Sequence, residues 1–159
     1  MLGEGDVAPD VTLQMADGSL IALSALTKPL VLYFYPKDDT SGCTVEAKDF
    51  SALKAAFEME GTSVLGISKN SPKDHAKFTA KYDLTVPLAT DADDSVTEAF
   101  GTWVQKSMYG RKYMGIERST FLIDANGRIA KVWRKVSVPG HADEVLAAAR
   151  ALKGAAETA

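Results

Sequence analysis

Two short apolar runs, VLYFY at residues 31–35 and SVLGIS at 63–68, bracket a segment of helical period. No other feature of the chain constrains its fold as much. Both runs are too continuously apolar for half-exposed strands and read as buried ones. The helix between them, expected over 43–58, carries Ala47, Phe50, Leu53 and Phe57 on one stripe, and Gly61 ends it. Two buried strands joined by a crossover helix are parallel neighbours with a right-handed connection.

The flanking segments extend this unit. Residues 11–14 and 20–23 enclose Ala16-Asp17-Gly18-Ser19 and read as an N-terminal hairpin. Ser71, Pro72 and Asp74 have the grammar of a helix start, with Phe78 and Tyr82 on its inner face. A short extended piece at 86–89 and a short helix at 94–100, stopped by Gly101, come next. Residues 103–117 have no clear period; a strand near Trp103 followed by a loop is expected. Strands at 119–124 and 128–134 flank Ala125-Asn126-Gly127, a strong hairpin signal. An amphipathic helix over 143–153 closes the fold, with a frayed tail at 154–159. The order hairpin, β, α, β, α, α, β-hairpin, α predicts an α/β fold with a central mixed sheet, helices on both faces, and a thioredoxin-like plan. It predicts one domain over 1–159, with its core in 3–153.

Composition excludes several classes. A net charge of −3 offers no basic field for nucleic acid. The apolar runs are far too short to span a bilayer. The opening MLGEGDVAPD has no basic n-region or apolar h-region, so no signal peptide is expected. One cysteine excludes an intrachain disulfide and suits a reducing, cytoplasmic setting. His75 and His141, the only histidines, form no metal-ligand spacing with that cysteine and are expected in structural or surface roles. Nothing in the pattern calls for a metal or a cofactor.

The single cysteine, Cys43, follows the first buried strand and a polar turn running from Pro36 to Gly42. A lone cysteine is commonly a buried structural thiol. Here it stands where the sequence turns helical, and a helix N-terminus carries free N–H groups and partial positive charge, which favour a thiolate. Four neighbours have two readings each. Pro36 either walls one side of the sulfur or simply ends the strand. Thr40 offers its hydroxyl to the site or caps the helix. Glu46 lies roughly 60° around the helix from Cys43 and either orients a cation or is a solvated acid. Arg118, just before the STFLID strand, lies across the thiolate or on the surface.

Magnitudes limit what a thiolate alone can do. A free thiol of pKa about 8.5 is ~3% ionised at pH 7, and a pKa of about 6 would raise that roughly thirtyfold. A Brønsted slope of about 0.4–0.5 removes about tenfold of the gain through lower nucleophilicity. Most of any large acceleration must therefore come from binding and polarising the electrophile.

The stretch YFYPKDDTSGCT resembles the peroxiredoxin pattern Pro-x-x-x-Thr/Ser-x-x-Cys, met as Pro36, Thr40 and Cys43. SPKDHAKFTAKYDLTVPLATD, KSMYGRKYMGIERSTFLIDANG and PGHADEVL extend the resemblance, to the peroxiredoxin Q or bacterioferritin-comigratory-protein group, over nearly the whole chain. It implies a thioredoxin fold and thiol peroxidase activity on hydrogen peroxide and organic hydroperoxides. It also implies Cys43 as the peroxidatic cysteine, Arg118 as its activating arginine, Pro36 and Thr40 completing the pocket, and Glu46 and Gly42 in support. Two departures stand out. Ser41 replaces a usual proline, and Lys48 occupies the position, five residues after Cys43, where many members carry a resolving cysteine. The resemblance is thus to a one-cysteine member. Its sulfenic acid is cleared by an outside thiol such as thioredoxin, glutaredoxin or glutathione, or else joins two chains through Cys43. A monomer is implied. Lys48, about 140° from Cys43 on the helix, is expected in solvent, and Asp38 and Asp39 are expected to point outward. The competing functions are thiol–disulfide exchange, weakened by the absence of Cys-x-x-Cys, and a non-enzymatic adaptor or holdase of the same fold.

Overall fold

The computed structural model describes residues 2–158. The elements follow in the order β1 (Thr12–Met15), β2 (Leu20–Ala22), β3 (Leu30–Phe34), α1 (Ser41–Met59), β4 (Ser63–Ser68), α2 (Pro72–Tyr82), β5 (Leu88–Thr90), α3 (Ser95–Ala99), β6 (Trp103–Met108), β7 (Arg111–Ile116), β8 (Ser119–Ile123), β9 (Ile129–Trp133) and α4 (His141–Thr158). The expected strands and helices form, with bounds shifted by at most two residues except at the end of α4. The seven-stranded mixed sheet runs β2-β1-β5-β4-β3-β8-β9, and β3 and β4 are parallel neighbours across the α1 crossover.

Every residue of β3 is buried, as its uninterrupted apolar run requires of a central strand covered on both faces. Successive side chains divide between the faces. Val31, Tyr33 and Tyr35 join the apolar residues of α1, α2 and α4 in one cluster. Leu30, Leu32 and Phe34 join Val96, Phe100 and Phe121 in the other. Helices cover both faces, but unequally: the three long ones supply the first cluster, and the short α3 serves the second. Ser71 caps α2 as expected, its Oγ accepting from the Asp74 N–H at 3.1 Å with Pro72 at the helix start.

Two expectations fail. After the Trp103 strand the chain forms a second strand rather than a loop, and β6 and β7 pair as a separate two-stranded hairpin from Trp103–Ile116 to Met108–Arg111. Its turn, Tyr109-Gly110, has φ of 52° and 76°, positive at both central positions as tight hairpin turns require. The strands are mostly exposed and lack the apolar alternation that marks a packed strand. At the other end, α4 continues through Gly154 to Thr158 where a frayed tail is expected. Its alanines favour helix, and Lys153 Nζ donates to the Met59 carbonyl at 3.0 Å while pairing with Glu157. Ala159 lies outside the described residues.

Gly66 holds the first cluster's geometry. It is the register partner of Tyr33, and a Cβ there would stand 2.6 Å from Tyr33 Cζ and 2.9 Å from Leu88 Cδ2. Gly66→Ala should cost roughly 1–3 kcal/mol through overpacking, measured as a lower urea midpoint; an unchanged midpoint would show that the sheet yields freely at this point.

Candidate active site

Sheet register brings the site together. β3 and β8 are antiparallel, with Phe34 opposite Ser119. Arg118, one residue before Ser119, therefore lies beside the C-terminal end of β3, where the chain leaves through Pro36 toward α1. Tyr35 still bonds Ile67 through its N–H at 3.0 Å; Pro36, with no N–H, ends the ladder.

Helix α1 starts at Ser41, two residues earlier than expected, so Cys43 sits inside its first turn. The first helical bond runs from Thr44 N–H to the Thr40 carbonyl at 2.9 Å. The N–H groups of Ser41, Gly42 and Cys43 thus precede the intrahelical ladder. No acid occupies that first turn to neutralise the helix end. Thr40 is the N-cap residue, but its hydroxyl donates to the Lys37 carbonyl at 2.8 Å and does not cap the helix.

Helical spacing places Cys43, Glu46, Ala47 and Phe50 on one buried face. Cys43 is 1% exposed and belongs to the apolar cluster, as a structural thiol would. A guanidinium also lies beside it. Arg118 Nη2 donates to Cys43 Sγ at 3.4 Å, and Nη1 donates to Glu46 Oε1 at 2.6 Å. The guanidinium lies so close over Gly42 that a Cβ there would be 3.2 Å from Nη2. Glu46 is therefore the arginine's anchor rather than a solvated acid. Burial pushes its carboxyl up to about 7 against the pull of Arg118. Burial works against the Arg118 charge, but Glu46 and Cys43 outweigh it and raise its pKa.

Other expected residues are placed as follows. Lys48 is exposed, with Nζ 5.6 Å from the Tyr82 ring centre. Asp39 points outward, to Lys81 and Tyr82. Asp38 does not: it is buried, its carboxylate bonded to Tyr35 and His75, because those two groups give it a partner that offsets the loss of water. Both histidines are buried in the frame. His141 Nε2 lies 2.8 Å from Thr120 Oγ1, and burial lowers its pKa to about 4.

Two residues near the sulfur escaped the sequence reading. Tyr33 has a buried hydroxyl without a partner among the described residues, and burial raises its pKa, with the Glu46 and Cys43 charges adding. Lys106 on β6 is lowered by burial and by Arg118, with Cys43 opposing. Polar-headed aromatics on the inward face of a buried strand were a readable signal for Tyr33; the hairpin gave none for Lys106. Among the described residues, no group of three or more His, Cys, Asp or Glu could hold a metal ion, and no helix is long and apolar enough to cross a membrane.

The AhpC/TSA family model matches residues 5–132. The chain is 46% identical over 143 residues to Peroxiredoxin Bcp of Xanthomonas campestris, covering 89% of each chain. It belongs to the peroxiredoxins. Peroxiredoxin Bcp of Bacillus subtilis is also 46% identical, over 89% of this chain and 91% of its own. A structure of Xylella fastidiosa PrxQ superposes with a TM-score of 0.89 at 42% identity, covering 95% of this peroxiredoxin and 97% of that chain. A second, with a TM-score of 0.85 and 44% identity over 90% and 92%, comes from work on alkyl peroxide reduction by the Xanthomonas campestris bacterioferritin comigratory protein. The thioredoxin-like fold and the class of thiol peroxidase, which needs a peroxide and a thiol reductant, follow from this membership.

The Glu46 carboxyl carries a pH signature. With its pKa raised from 4.5 to about 7, the folded protein holds a proton that the unfolded chain has released between those values. This contribution to stability is full below 4.5 and is lost as pH rises through about 7. Glu46→Gln cannot titrate and should flatten the pH dependence of the unfolding midpoint between 4.5 and about 7. An unchanged slope would mean that Glu46 stays ionised throughout.

Proposed function

We propose that this single-domain chain reduces hydrogen peroxide and organic hydroperoxides with Cys43 as the peroxidatic cysteine. The observation that carries the reading is the guanidinium of Arg118, held by Glu46 and aimed at Sγ from 3.4 Å. The Cys43 thiolate attacks the distal peroxide oxygen. An S–O bond forms, the O–O bond breaks, and the alkoxide or hydroxide leaves with a proton from solvent, giving a sulfenic acid. Arg118 and the first-turn N–H groups of α1 supply donors where the oxygens gain charge. Thr40 can accept from the peroxide O–H, since its hydroxyl hydrogen is already engaged with Lys37. Pro36 shields the pocket, and Gly42 leaves room for the guanidinium.

With Cys43 the only cysteine and Lys48 in solvent on the helix, recycling falls to an external thiol. The thiol attacks the sulfenic sulfur and expels hydroxide, which leaves as water; a second thiol then releases Cys43 from the mixed disulfide. Thioredoxin, glutaredoxin or glutathione are the reductants of this chemistry, and a reducing cytoplasm is the setting that keeps them charged. A monomer suffices, because every group named here belongs to one chain.

Stopped-flow mixing with peroxide should show rapid loss of the thiol, and Cys43→Ser should abolish it. Arg118→Met should lower the rate about a hundredfold or more, the scale of losing a preorganised donor, and by more than the accompanying fall in thiolate absorbance. Equal losses would confine Arg118 to making thiolate. Intact mass after one equivalent of peroxide should show a sulfenate, converted to a mixed disulfide by glutathione; a covalent dimer would refute the monomeric cycle.

A further inference from the structure

The β6–β7 hairpin brings a second cation into the neighbourhood of Cys43. Lys106 is the register partner of Tyr113, yet its stem runs across β7 to Gly115, two residues nearer Arg118. A Cβ at Gly115 would stand 3.3 Å from Lys106 Cδ and 3.4 Å from Cε, so the glycine leaves the channel that the stem occupies. The half-buried stem thus carries the ammonium toward the Arg118 end of β7. Burial and the Arg118 charge lower its pKa, while Cys43 and Glu117 act on it in the opposite sense. Among the described residues the ammonium makes no hydrogen bond and no ion pair. Arg118 differs, its fork being committed to Glu46 and to Sγ. Over residues 103–116 the hairpin carries Lys106, Arg111 and Lys112 and no acid, in a chain of net charge −3. The peroxide chemistry assigned to Cys43 uses none of these three cations.

Oxidation changes what this cation faces. Before it, the Cys43 thiolate is an anion shared by Arg118 and Lys106. The sulfenic acid is neutral, so Arg118 keeps Glu46 while Lys106 keeps only Glu117, at a distance. A half-buried charge without a close counter-ion favours any anion that can reach it. The reagent required at that moment is a thiol, and it attacks as the thiolate. We infer that Lys106 selects an anionic thiol as the external reductant, by holding a free positive charge beside the oxidised sulfur. It is a specificity-determining residue for recycling and exchanges no proton or bond. The inference rests on Cys43 being the peroxidatic cysteine recycled from outside. The thiolate forms a bond to the sulfenic sulfur, the S–O bond breaks, and the hydroxide leaves as water with a proton from solvent. Hydrogen peroxide carries no charge, so Lys106 has little to attract during oxidation.

The test compares variant and parent in the resolution of the sulfenate by small thiols of similar size: mercaptoacetate, 2-mercaptoethanol and 2-aminoethanethiol. Their thiolate forms are doubly negative, singly negative and neutral overall. The sulfenate is formed with hydrogen peroxide, and the mixed disulfide is followed by intact mass of quenched samples. The variant-to-parent ratio cancels each thiol's own nucleophilicity. Lys106→Met should slow mercaptoacetate about tenfold and 2-mercaptoethanol about threefold, and leave 2-aminoethanethiol unchanged, on the scale of one exposed ion-pair interaction per unit of charge. Lys106→Arg keeps the charge and should restore the parent rates. Oxidation by hydrogen peroxide should change less than about twofold in either variant. Equal slowing of all the thiols, or of none, overturns the inference, since a structural role is blind to the charge of the reagent. An anionic oxidant has the same chemistry, and peroxymonosulfate probes it: slower oxidation by this reagent with unchanged resolution assigns Lys106 to the oxidant and overturns the inference. If the parent forms no sulfenate with peroxide, the assignment of Cys43 fails first. A reactive parent whose Lys106→Met variant shows no order by charge refutes the selection alone.

Discussion

The site depends on one buried ion pair. Glu46 is 1% exposed and cannot hold a charge there without a partner; Arg118 provides it at 2.6 Å, with only 17% of its own side chain exposed. Such a pair adds little net stability, since desolvation offsets the attraction, but removing one member strands the other. Its value here is geometric. With Nη1 committed to Glu46, the planar fork has one orientation left, and Nη2 faces Cys43 Sγ. The pair fixes the cation in place, so the peroxide reaction proposed for Cys43 would need little reorganisation there.

The sheet makes that pair possible. Arg118 precedes β8 and Cys43 follows β3, elements far apart in sequence that the antiparallel register of β3 and β8 brings together at the C-terminal end of β3. Gly42 admits the guanidinium over the start of α1, and Gly66 admits the Tyr33 ring beneath the same face. The fold places the sulfur within the apolar cluster yet beside free first-turn N–H groups and a fixed cation. A helix end alone yields only a few-fold gain in reactive thiolate, whereas preorganised donors contribute about a hundredfold or more each. In the proposed reaction the arrangement of donors would therefore outweigh the ionisation of the sulfur.

The parts that were legible in the sequence are those set by local pattern. The continuous apolar runs of β3 and β4, the Ser71-Pro72 start of α2 and the Asn126-Gly127 turn each carry their own signal. Spacing on α1 also put Cys43 and Glu46 on adjacent positions of one face. What stayed hidden depends on distant partners. Asp38 reads as a loop acid until His75 and Tyr35 are folded against it. The β6–β7 hairpin is mostly exposed beyond its Trp103–Ile116 end and turns on Tyr109-Gly110, a pair with only half of the usual turn chemistry. The Thr40 hydroxyl depended on the conformation of a loop, and no periodicity encodes that. The C-terminal helix outran its Gly154 because Lys153 reaches back to Met59.

The account stands on Glu46 acting through Arg118, and a double-mutant cycle on the rate of Cys43 oxidation by peroxide measures this directly. If the carboxylate serves only to aim the guanidinium, the combined Arg118→Met and Glu46→Gln variant should be scarcely slower than Arg118→Met alone, with a coupling of about 1–3 kcal/mol between the two positions. If the two losses multiply independently, Glu46 does not work through Arg118, and the ion pair is not the element that organises this site.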